Sequence, residues 1–74
     1  MNQARGNCRF TLRRENRCDW VTVFASTLNQ EQEFPCAASF GSATYNLLHN
    51  GNAVTNALFP LQPLETRRFS LDRR

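Results

Sequence analysis

Three cysteines, one histidine and nine arginines are the residues of this chain most able to do chemistry. Cys8, Cys18 and Cys36 are ten and eighteen residues apart. Structural zinc sites usually pair their ligands at C-x₂₋₄-C spacing, so these gaps argue against a metal, and none is expected. In an oxidising compartment one pair could bridge: Cys18 and Cys36, the candidate disulfide, would join the long central strand to its successor, while Cys8 and Cys18 would close the first hairpin. In a reducing one, all three are small buried hydrophobes. His49 directly precedes Asn50-Gly51 and reads as a turn-flanking polar residue. A Cys–His nucleophile pair would also need an orienting third group and an oxyanion site in a cleft, for which 74 residues leave little room. The acids are scattered and the glycines isolated, so no phosphate-binding loop exists. The chain is read as a non-enzyme without cofactors.

The arginines carry the clearest pattern. Arg5, Arg9, Arg13, Arg14 and Arg17 lie in the first stretch, and Arg67, Arg68, Arg73 and Arg74 in the last. No Lys or Arg falls between Arg17 and Arg67, and no Lys occurs at all. If the ends of the chain meet in the fold, they make one basic face suited to an acidic partner. Arg9, Arg13, Arg14, Arg67 and Arg68 are the candidate partner-binding residues. The function expected from these features is a protein-binding inhibitor, adaptor or assembly subunit, such as a phage or bacterial protein would supply. The alternative is a nucleic-acid-binding β domain using the same arginines. Against that alternative, Phe10, Phe69 and Trp20 alternate with polar residues and are expected in the core rather than free to stack on bases. A carbohydrate module would need exposed Trp or Tyr, and there is one of each.

The elements that must position these residues are strands. Cys8, Phe10 and Leu12 alternate with Arg9, Thr11 and Arg13, which predicts a half-buried strand. Glu15-Asn16-Arg17 predicts a hairpin loop. Trp20–Leu28 is β-branched and aromatic, with Trp20, Phe24 and Leu28 on one face and Val21, Val23 and Ala25 on the other; both faces are partly apolar, which predicts a central strand. Asn29–Glu33 reads as a loop and Phe34–Phe40 as a shorter strand, with Pro35 marking an edge or a beginning. Gly41-Ser42 turns the chain into Thr44–His49. Asn50-Gly51 predicts a type I′ turn and Ala53–Phe59 a return strand. A helix over Tyr45–Leu58 competes, but Asn50-Gly51 breaks its stripe. Pro60 and Pro63 bracket a loop before a last strand, Thr66–Leu71, with Phe69 and Leu71 inward and Arg68 outward.

Six short antiparallel strands predict an all-β fold, a small immunoglobulin-like sandwich, with a small SH3- or OB-like barrel as the alternative. Leu61-Gln62-Pro63-Leu64-Glu65-Thr66-Arg67-Arg68-Phe69-Ser70-Leu71 resembles the last turn and strand of bacterial immunoglobulin-like modules. The layout of Asn16-Arg17-Cys18, Val21-Thr22-Val23 and Cys36 is similar to that of secreted α-amylase inhibitors of the tendamistat type. This chain has three cysteines where that family has four, and it lacks the inhibitory Trp-Arg-Tyr triplet, so no site residue or activity is carried over.

The whole chain reads as one domain, with residues 1–6 and 72–74 as flexible ends. Met1–Gly6 holds no apolar run, so no signal peptide is expected, and no segment is long enough to span a bilayer. The compartment stays open: secreted or periplasmic if a disulfide forms and Met1 precedes a mature domain, cytoplasmic otherwise. An exposed edge strand would permit self-association.

Overall fold

The computed structural model describes residues 2–5 and 8–73, the first four by backbone alone. It is all-β. The strands are β1 (Asn2–Arg5), β2 (Cys8–Glu15), β3 (Cys18–Ala25), β4 (Gln32–Pro35), β5 (Ala37–Phe40), β6 (Ala43–His49), β7 (Asn52–Ala53), β8 (Leu58–Leu61) and β9 (Thr66–Arg73). The larger sheet runs β1-β2-β3-β9-β6-β5, with β7 paired to β6. The smaller is a ribbon of β4 and β8. The described pairings are all antiparallel.

The expected closed sandwich is not what forms. The larger sheet curls into an open half-barrel, and the ribbon caps part of its concave side. The curl is visible in one contact. β2 and β5 stand well apart in the strand order, yet the rings of Phe10 and Phe40 lie 5.1 Å apart. Phe34 of the ribbon meets Phe10 edge-on at 5.8 Å, an arrangement aromatic quadrupoles favour. Cys8, Phe10, Val21, Val23, Ala25, Ala38, Leu47 and Phe69 from the half-barrel and Phe34 and Leu61 from the ribbon form the buried core.

The second sheet arises because the stretch read as one strand, Phe34–Phe40, crosses between sheets at Cys36. The Cys36 N–H donates to the Ala57 carbonyl beside β8 (3.0 Å), while its own carbonyl accepts from Leu47 N–H in β6 (2.9 Å). One buried residue thus has a backbone bond on each side. The expected return strand also divides. Asn52–Ala53 pairs with β6, and Leu58–Leu61 pairs with β4. Pro60, expected in a loop, lies inside β8 opposite Glu33, and Pro35 lies opposite Leu58. A two-stranded ribbon has only edges, where a missing N–H is tolerated. The helix considered over Tyr45–Leu58 does not form.

Strands are found closer to both ends than the sequence pattern placed them. Asn2–Arg5 pairs with β2, and β9 runs on through Asp72 and Arg73. Met1, Gly6 and Arg74 lie outside the described residues.

Tight turns set the register. Asn50 (φ 54°) and Gly51 (φ 80°) have the two positive φ angles of a type I′ turn between β6 and β7. The β2–β3 hairpin uses the same turn with Asn16 (φ 51°) and Arg17 (φ 66°). Arg17 is the misfit, because a Cβ in the left-handed region costs about 1–2 kcal/mol. Leu64 (φ 60°) follows Pro63 in a turn closed by Glu65 N–H to the Gln62 carbonyl (3.0 Å). Pro followed by a positive φ is the pattern of a type II turn. The Glu65 carboxylate accepts from Gln62 N–H (2.8 Å) and from Arg67. The backbone bond first, then Arg67, holds its pKa below the usual carboxylate value.

Arg17→Gly should raise the thermal midpoint, with a net gain of about 0.5–1 kcal/mol after glycine's larger unfolded-state entropy; an unchanged or lower midpoint would contradict the strain. The Glu65 carboxylate is favoured in the folded state. Its contribution is therefore present above the ordinary glutamate pKa and lost as pH falls through the depressed folded value. Glu65→Gln should accordingly be less stable than the native chain at neutral pH and converge with it in strong acid, as read by urea denaturation across pH.

Candidate nucleic-acid interface

Alternation along three neighbouring strands decides which residues share the convex, outer face of the half-barrel. On β2 the inward set is Cys8, Phe10 and Leu12, which sends Arg9, Thr11, Arg13 and Glu15 outward. On β3 the buried set is Val21, Val23 and Ala25, which sends Trp20, Thr22 and Phe24 outward. On β9, Phe69 is inward and Arg68 and Ser70 outward. The register then builds rows: Arg13 opposite Trp20 opposite Ser70, Thr11 opposite Thr22 opposite Arg68, and Arg9 opposite Phe24 opposite Thr66.

The terminal charge clusters do meet, since β3 sits between β2 and β9. Of the five candidate arginines, Arg9, Arg13 and Arg68 share the outer face. Arg14 and Arg67 do not. Each is one residue out of phase with that set and points to the concave side. Arg14 pairs with Asp19 at 3.1 Å. Arg67 pairs with Glu65 and lies over the Phe59 ring at 5.7 Å.

Trp20 is the largest departure from expectation. Phe10 and Phe69 are buried as predicted, but Trp20 and Phe24 are half-buried on the outer face. The signal was available in the sequence: Val21, Val23 and Ala25 are small enough to pack under the curl, which leaves the bulkier set outside. The Arg68 guanidinium stacks 4.1 Å above the Trp20 ring centroid and continues to the Glu15 carboxylate. Arg68 and Glu15 remain about half exposed, at 49% and 43%. An ion pair so exposed is worth about 0–1 kcal/mol, so Arg68 is held in place but readily exchanged to another anion. Thr11, Arg13, Glu15, Trp20, Thr22 and Arg68 line a shallow depression of about 360 Å³.

All three cysteines are free thiols, and the structure does not join Cys18 to Cys36. Cys18 is exposed at the end of the β2–β3 hairpin, whereas Cys8 and Cys36 are buried. Burial raises the pKa of both buried thiols and keeps them protonated. His49 packs against an edge-to-face pair of rings, Phe59 at 5.7 Å and Phe69 at 6.0 Å, at the margin of the core. Among the described residues no group of three or more His, Cys, Asp or Glu side chains converges on a metal position. No described helix is long and apolar enough to cross a membrane. β5 is an open edge of the larger sheet.

In the native protein a thiol reagent should label Cys18 quickly and Cys8 and Cys36 only on unfolding; fast labelling of all three would contradict the burial. Compared with known protein families, curated proteins and solved structures, the chain matches none, so the geometry of its faces carries the functional argument.

Proposed function

We propose that this domain binds single-stranded nucleic acid across the outer face of its half-barrel. The observation that carries the reading is the Arg68 guanidinium stacked on Trp20, with Arg13 opposite Trp20 on the neighbouring strand. Single-strand binders combine cationic side chains that follow the phosphates with flat surfaces on which bases stack. Arginine planes serve for stacking as well as aromatic rings do. Here Phe24 and the Arg68–Trp20 pair supply the flat surfaces, while Arg9, Arg13 and Arg68 supply the charge. A phosphate would take the place of Glu15 on Arg68, exchanging one exposed carboxylate for another anion of matching geometry.

An acidic protein surface would also satisfy three arginines, which was the first expectation from the sequence. The flat groups between those arginines favour nucleic acid, because a carboxylate-rich protein has no use for a stacking platform beside each charge. The face is only mildly basic, since Glu15 and Asp72 share it. Affinity in the ordinary non-specific range, about 10⁻⁴–10⁻⁶ M at physiological salt, is therefore expected.

Fluorescence anisotropy with thymine and uracil homopolymers tests the reading. Three phosphate contacts on a single strand should give a log–log salt slope of about −2. Trp20→Ala should weaken binding by about 1–3 kcal/mol. Arg13→Ala should reduce the slope by about 0.7, and Arg67→Ala, on the other face, should leave binding unchanged. Affinity that does not respond to salt, or an equal loss in Arg67→Ala, would sink the proposal.

A further inference from the structure

The concave side of the half-barrel is only partly capped. The ribbon covers the end containing Phe10, Val23 and Ala25. At the other end Leu12, Tyr45 and Leu71 also point inward but are only half-buried. With Arg13, Arg14 and Asp19 they line an open mouth of about 240 Å³. That is below the roughly 300–1,000 Å³ of pockets for drug-sized ligands, and it suits a single planar ring system. Its floor is apolar and carries an aromatic ring, Tyr45, itself packed on Phe40 at 5.9 Å. Its rim is a donor beside an acceptor. Arg14 Nη1 donates to Asp19 Oδ1 at 3.1 Å, and the Arg14 side chain is 65% exposed. That bond uses one N–H and one lone pair of Oδ1, which leaves the other N–H groups of Arg14 and acceptor positions on both Asp19 oxygens for a ligand.

We infer that this mouth receives one unstacked base of the bound strand and that it selects guanine. Guanine alone among the common bases presents an acceptor, O6, next to two donor groups, N1–H and the N2 amine. Arg14 matches the first and Asp19 the others. Adenine offers no N1–H donor to Asp19, and cytosine and thymine lack the adjoining donor pair. The base would lie against Tyr45, Leu12 and Leu71. Arg13 borders both this mouth and the outer depression, so a strand leaving the outer face near Arg13 has a charged guide around the end of the β2–β3 hairpin.

The inference rests on the nucleic-acid reading, and one experiment separates their failures. Affinity is measured for a thymine homopolymer of about a dozen nucleotides and for the same strand with one central guanine, adenine, cytosine or hypoxanthine. One guanine should tighten binding about tenfold. Hypoxanthine, which lacks the N2 amine, should give a smaller gain, and adenine and cytosine none. Asp19→Asn, checked for folding by circular dichroism, should abolish the guanine preference and leave affinity for the homopolymer unchanged; Tyr45→Ala should lower the guanine gain in the same comparison. Equal affinity for all strands overturns guanine selection and leaves the outer-face reading intact. A guanine preference that survives Asp19→Asn places the selection elsewhere and overturns the site. Binding of no strand overturns both.

Discussion

The fold depends on Phe10 being buried from two directions at once. It meets Phe40 from the far side of the larger sheet and Phe34 from the ribbon. A chain of 74 residues has few apolar groups to spare, and a flat sheet would leave its inner face half covered. Curling brings β2 toward β5, and the ribbon fills the gap between them. The crossing at Cys36 serves the same end, because it lets one stretch of chain contribute Phe34 to the ribbon and Ala38 to the half-barrel.

That constraint also shapes the outer face. Phe10, Phe34 and Phe69 fill the capped part of the concave side, and β3 adds to that core only its small residues, Val21, Val23 and Ala25. Its bulky set, Trp20 and Phe24, is left on the convex side. The neighbours of β3 come from opposite ends of the chain, and they bring the only arginine clusters with them. Aromatic surface and positive charge therefore coincide as a consequence of packing. The same geometry leaves the end of the concave side beyond the ribbon open, where Leu12, Tyr45 and Leu71 are only half-buried.

Much of this could be read directly. Period-two alternation identified the inward residues of β2 and β9, and the mixed apolar character of β3 placed it centrally, as its pairing with both neighbours bears out. Asn50-Gly51 announced its turn, because the positive φ it needs is a property of those two residues alone. Arg17 gave no such signal. Its left-handed conformation is imposed by the register of the strands on either side, not by its own preference.

The sequence by itself determined that the chain is all-β, where several of its strands and turns fall, and that its charge gathers near the two ends. Those properties follow from alternation and from single-residue φ preferences, which act over a few neighbours. Tertiary structure decided that the stretch after Phe34 splits between two sheets, that the larger sheet stays an open half-barrel, and that β2 and β9 flank β3, so that Arg9, Arg13 and Arg68 share a face with Trp20. These outcomes depend on which distant surfaces fill the same small core. A one-residue difference in phase sends a side chain to the opposite face, and for β3, apolar on both faces, only the assembled sheet shows which face is buried.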